Sequence, residues 1–428
     1  MPPSKTPDSA HPARDPRPVV QLPRTWFAVI VALVVVPWLV VGGVYLRGHE
    51  PAGQPAVPPA PAAPVPVKTG PWGTLAKTPI IISPPLELIS DSWGREHHTP
   101  YQWLLPETTP EVMMAFLSST GLTADQVAEL RASARPEPRI NGLAVAPTPA
   151  LLRSLSPEVR AKLYVQLGRT PLNDDQSNAF RFAAGSSDAW FAGARISPAT
   201  RQLVEPLLYR HGLHFYFADV DLVRSQIADP AEVRNLAKVL LRQPTYIVEL
   251  AVPDVASVKD LAEYWGKGGR RTDIRPLLES VAGGGAGRSI DIIHLLPPIA
   301  REHLYRYPRL TAEERGRPAL VNCLWTSLNF FNATPDDRFL DVNYALDHLR
   351  RDYDVVESNF ELGDVIAFVD DQGNIFHAAV EIADDLVFTK NGQSMMAPWV
   401  IVPIGTLEDF YRTRCENPRL VYHRRKDI

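Results

Sequence analysis

Hydrophobic positions follow three patterns along the chain. From Trp26 to Leu46 (WFAVIVALVVVPWLVVGGVYL) they run without a charge for 21 residues. At ~1.5 Å per residue, a helix of that length just crosses a ~30 Å hydrocarbon core. The run therefore predicts a transmembrane helix, and Pro37 is tolerated within one. From residue 71 to about 285 the period is mainly helical. Thr123 and Gln126 are spaced as a capping box ahead of Val127 and Leu130. Ser156-Pro157 and Asp229-Pro230 read as N-caps followed by proline at the first helical position. Leu213–Val220 and Tyr246–Val252 carry aromatic and β-branched content that predicts strands.

From 289 onward the pattern changes within one segment. Leu324, Leu328 and Phe331 recur at i, i+4 and i+7, and Asn322 suits the N-cap of a helix beginning at Cys323. Asn343–Arg351 predicts a second helix. Strands then follow over Val365–Val369, Ile375–Ala383 and Leu386–Lys390, separated by the turns Asp370–Asn374 and Asp384-Asp385. Trp399–Pro403 and Leu420–His423 read as edge strands, with a helix near Leu407–Arg412 between them. A helix packed on an antiparallel sheet is an α+β arrangement.

The expected organisation is a cytoplasmic tail over 1–25, a transmembrane helix over 26–46 and a Pro/Ala-rich linker over 47–70. A mainly helical domain of unknown role over 71–285 and an α+β domain over 289–428 complete it, with glycine-rich 282–288 as the link. Lys5, Arg14, Arg17 and Arg24 outnumber Asp8 and Asp15 before the apolar run, which places the tail inside and the bulk of the chain outside the cytoplasm. The alternative, a signal peptide cut near Gly43, exports the same bulk. Seven of the 42 prolines lie in the linker, which favours an extended spacer. A net charge of -4 argues against nucleic acid as a partner. Two cysteines are too few for a disulfide scaffold.

Chemistry concentrates late in the chain. Cys323 falls on a helix first turn, where unpaired N–H groups and the helix dipole favour a thiolate. His377 lies in a strand and can serve as its base. A third polar group must then hold the imidazole. By strand alternation Thr389 and Asn391 share a face, and Asn391 is preferred for its carboxamide, with Thr389 second. Asn391 before Gly392 also fits a plain turn. Outside the cytoplasm, Cys323 could instead be bridged to Cys415. His97-His98 and His211/His214 lack acidic or cysteine partners at metal-ligand spacing, so neither metal nor cofactor is expected. The basic tail from Arg412 through Arg414, Arg419, Arg424 and Arg425 to Lys426 reads as a solvated end or a contact for acidic polymer.

The ordered set of Cys323 at a helix start, Leu362-Gly363-Asp364-Val365-Ile366 and His377-Ala378-Ala379-Val380 resembles the NlpC/P60 and related CHAP peptidases. These are papain-like cysteine enzymes that cut peptidoglycan stem or cross-bridge peptides. The resemblance covers roughly residues 320–410. It implies Cys323 as nucleophile, His377 as general base and Asn391 as the orienting residue. The family usually has Asp-Cys-Ser-Gly where this chain has Asn322-Cys323-Leu324-Trp325. Its tyrosine oxyanion helper has Tyr305 and Tyr307 as candidates here. The expected function is a membrane-anchored cysteine peptidase or amidase acting on a cell-wall peptide or other envelope polymer. The alternative is an inactive envelope-binding or scaffolding protein on the same fold. Residues 71–285 are expected to position the enzyme or meet a protein partner.

Overall fold

Two β-rich segments far apart in sequence, Thr74–Ile82 and Gln243–Val252, pair antiparallel from Thr74 opposite Ala251 to Ile82 opposite Gln243. Val65–Pro66 and Arg288–Asp291 complete a four-stranded sheet on either side of them. The computed structural model describes residues 65–66, 69–89, 101–183, 186–285, 287–308, 320–412, 414–415 and 417–428. It is a mixed α/β protein whose strand ladders, among the described residues, are antiparallel. No described helix is long and apolar enough to cross a membrane. The Trp26–Leu46 run, most of the linker and His97-His98 lie outside the described residues.

The described residues between those two strands include a lobe with its own core, built around Trp103, Leu117, Leu163, Tyr164, Trp190 and Phe217. The capping box closes in both directions, with Gln126 N–H donating to Thr123 Oγ1 and Thr123 N–H to Gln126 Oε1. Ser156 and Asp229 cap their helices with proline at the start of each. The strand expected over Leu213–Val220 is only His214–Phe217. Asp219 leaves the ladder to meet buried Arg160 at 2.5 Å while accepting from Tyr164 Oη at 2.6 Å, and Val220 begins a helix. Pairing two buried charges outweighed extending the strand.

A second core is continuous from Leu75 through Val248, Trp265 and Leu295 to Leu324, Val365 and Phe388. Packing thus groups 74–82 and 243–304 with the C-terminal segment, and a cut at 285–289 passes through one core. Helix Arg271–Gly283 ends in the glycine-rich stretch, and Arg288–Asp291 runs back against Gln243–Val252. Gly285 and Gly287 take positive φ, which glycine adopts without a Cβ clash.

The C-terminal segment holds a six-stranded sheet. Its strands are β1 (Tyr353–Val356), β2 (Val365–Val369), β3 (Ile375–Ala383), β4 (Leu386–Lys390), β5 (Trp399–Pro403) and β6 (Arg419–Arg425). The order is β1-β6-β2-β3-β4-β5. Helices α1 (Cys323–Leu328), α2 (Val342–Asp352) and α3 (Ile404–Tyr411) accompany it. β5 is an edge as expected, but β6 lies inside, between β1 and β2. Its basic sequence is tolerated there because Arg424 reaches buried Asp364 with Nε at 2.8 Å and Nη2 at 2.7 Å. The tail is therefore not simply a solvated end.

Candidate active site

Asn322 starts α1 by accepting the Trp325 N–H on its Oδ1 at 2.9 Å, which leaves Cys323 as the first helical residue. Trp399 ties the same turn to the sheet, donating from Nε1 to Thr326 Oγ1 at 2.9 Å. Cys323 is partly exposed, and it packs against the core to which Ala378 of β3 belongs, with α1 lying directly on that strand. Ala378 directly follows His377 in the chain. The structure therefore brings the predicted nucleophile to the strand that carries the predicted base.

His377 is buried, and its Nε2 is 3.0 Å from Thr389 Oγ1 on β4. Thr389 in turn lies 3.5 Å from the Ala378 carbonyl, so its hydroxyl donates there and accepts from the ring. The hydrogen-bond network thus assigns the proton to Nε2. Nδ1 is buried without a hydrogen-bond partner. The imidazole is oriented through one nitrogen and open at the other, which is the division of labour a general base needs. The thiol–imidazole hydrogen bond itself is not formed in this state.

The third residue is a correction. Thr389, not Asn391, holds the ring. β4 ends at Lys390, so the alternation that put Thr389 and Asn391 on one face stops before Asn391. Asn391 instead lines a cavity of about 280 Å³ with Phe180, Arg181, Ser394 and Phe410. Its Oδ1 is buried there without a partner. Tyr305 and Tyr307 are also committed elsewhere: their hydroxyls donate to the backbone carbonyls of Tyr246 at 2.6 Å and Leu241 at 3.2 Å. They line a cleft of about 840 Å³ that borders α1 through Trp325, with Val321 just ahead of the helix. Cys323 and Cys415 are both free thiols, so the alternative disulfide is absent.

Two residues here were not singled out from sequence. Tyr411 on α3 packs its ring against His377 with centroids 4.3 Å apart, and Phe368 closes another side at 5.3 Å. Lys390 is fully buried beside the α1 side of the sheet, its Nζ donating to the carbonyls of Gly392 at 2.7 Å and Ser394 at 3.0 Å. A lysine at a strand end reads as exposed, and nothing in its spacing marks it otherwise. Tyr411 lay within the expected α3 but carried no motif.

Burial governs the protonation states. It takes the His377 imidazole down to about 3, with the Arg414 charge adding to the effect. It pushes the Cys323 thiol up, against the N–H groups of Ala378, Leu324 and Cys323 and the Lys390 charge. It brings Lys390 down to about 7, against the pull of Cys323. At rest the thiol and imidazole are therefore both neutral. His214, a discarded metal candidate, bonds Asp409 Oδ2 from Nδ1 at 2.7 Å. Among the described residues no group of His, Cys, Asp and Glu is arranged to hold a metal ion. No family model, curated protein or solved structure matches this chain.

Proposed function

We propose that this protein is a membrane-anchored cysteine peptidase or amidase, facing outward, with an NlpC/P60-like catalytic region that cleaves peptide or amide bonds of the cell envelope. The observation that carries the reading is His377: Thr389 holds Nε2, Nδ1 is left without a partner, and α1, which begins at Cys323, packs on the strand that carries the ring. In the reaction, Cys323 sulfur attacks the scissile carbonyl carbon and its proton passes to His377 Nδ1. The N–H groups of the first turn of α1 face the developing oxyanion. Imidazolium then gives the proton to the departing amine. Water, deprotonated by the same nitrogen, releases the acid from the thioester and restores the thiol.

The inactive, binding-only alternative draws on the neutral resting pair and the unformed thiol–imidazole bond. Apo sites of this kind are often loose and tighten on substrate. Incubation of the full-length protein with purified peptidoglycan, followed by chromatography of released fragments, separates the two. Hydrolysis that disappears in both Cys323→Ala and His377→Ala is the expected result. Retention on the polymer with no new amine or carboxyl ends overturns the enzymatic reading.

A further inference from the structure

Lys390 is a buried cation without a carboxylate. Its side chain is inaccessible to solvent, and no described Asp or Glu lies within ion-pair distance of it. Its hydrogen-bond partners are two backbone carbonyls from the loop that follows β4. The Trp399 ring stands 5.7 Å from Nζ, and Trp399 is both the cross-strand partner of Lys390 and the donor to Thr326 on α1. Those contacts place Lys390 on the face of the sheet that α1 packs on, one side chain, Trp399, away from Thr326 in the helix that begins with Cys323. An uncompensated buried charge is costly, and the cost is easiest to understand if an anion forms nearby during function.

We propose that Lys390 is a positioning residue for the thiol: its ammonium, held by the Gly392 and Ser394 carbonyls, stabilises the Cys323 thiolate from beside the first turn of α1. The inference rests on Cys323 being the nucleophile. It assigns stabilisation of the thiolate, as it forms, to an amine, leaving the buried imidazole to move protons once substrate is bound. Electrostatically the two are coupled: the Cys323 charge raises Lys390 and the Lys390 charge lowers Cys323, each against the effect of burial. Tyr411 reaches the same thiol from α3 but stays protonated, since burial and Cys323 both raise it. His377 stays neutral, and Arg414 faces His377. Once the amine has lost its proton, the pair Cys–SH with Lys–NH₂ and the pair Cys–S⁻ with Lys–NH₃⁺ differ only in where one proton sits.

The test uses the full-length protein carrying Cys415→Ala, so that one thiol remains, and measures the rate of iodoacetamide alkylation against pH. Lys390→Met is expected to move the midpoint up by about one unit or more, roughly a tenfold slower reaction near neutrality. Lys390→Arg, which keeps the charge, is expected to keep the midpoint. Lys390→Gln is the second neutral variant should Met fail to fold, as judged by thermal melting. Superimposable curves for the parent and a folded neutral variant overturn the proposal. A shifted midpoint in a protein that hydrolyses nothing keeps the role of Lys390 and removes the hydrolase reading. Hydrolysis with an unshifted midpoint does the reverse.

Discussion

At Thr389 a hydroxyl takes the place expected for the Asn391 carboxamide. A hydroxyl can accept from the imidazole and donate onward to Ala378, so it fixes ring and tautomer together. Thr389→Val keeps the shape and removes both bonds. Turnover should fall on the order of tenfold or more, part of the ~10²–10⁴ that a placed acid–base group supplies. Asn391→Ala should stay within about twofold of the parent, because the carboxamide does not touch the ring. Peptidoglycan-release rates for the two variants compare the residues directly. His377 also sets an acid limit on stability. With a folded value of about 3 and an unfolded value near ~6.5, the unfolded chain takes up a proton that the folded one refuses. Stability is therefore complete above pH ~6.5 and drains as pH falls toward ~3. Melting temperatures between neutral and acid pH should decline less steeply in His377→Gln than in the parent. Cys323 and His377 were legible in the sequence because each stood in a recognisable local context. Tyr411 and Lys390 were not, because what makes them part of the site is burial by elements distant in the chain.

Among the elements, β2 and its preceding turn show why a short phrase of residues matters. Gly363 has a φ of 95°, and a Cβ there would lie 2.0 Å from the Phe331 ring. Its N–H donates to the Glu381 carbonyl, and the Glu381 N–H donates to the Asp364 carbonyl, which locks the turn onto β3. Asp364 then anchors β6 through Arg424. Gly363→Ala should destabilise by more than ~1–3 kcal/mol, read from chemical denaturation, since strain and overpacking act together. The same phrase carried the sequence resemblance, and its structural duty is to hold β2, β3 and β6 in register. The strands themselves were legible from alternation and β-branched content, nearly to the residue for β2 through β5. The place of β6 was not. Leu420–His423 reads as an edge strand, and the buried partner Asp364, just ahead of β2, accounts for its interior position.

Across the whole molecule, α3 joins the two lobes. Buried Asp409 accepts from the Leu213 N–H at 3.1 Å, pairs with His214 at 2.7 Å and receives Arg412 Nε at 3.2 Å. Gly212 is required beside it, because a Cβ there would sit 2.8 Å from the Asp409 carboxylate. Next to it, Arg181 of the inserted lobe lies over the Phe410 ring. Asp409→Ala leaves the Leu213 N–H and His214 without their acceptor and should cost roughly 2–4 kcal/mol. Differential scanning calorimetry should then show the lobes melting less cooperatively than in the parent. Since Phe410 and Tyr411 are successive residues, loosening this seam should also reach the His377 ring.

The pairing of Thr74–Ile82 with Gln243–Val252 has a consequence for how the chain is made. The first strand emerges from the ribosome long before its partner exists, and the inserted lobe, with a complete core of its own, is synthesised in between. That lobe is free to fold first, while Thr74–Ile82 waits as an unsatisfied edge. By closing early, the lobe brings Ile82 and Gln243 together and shortens the effective loop that the late pairing must close. On that account the insertion would act as a built-in folding aid for the half that carries Cys323 and His377.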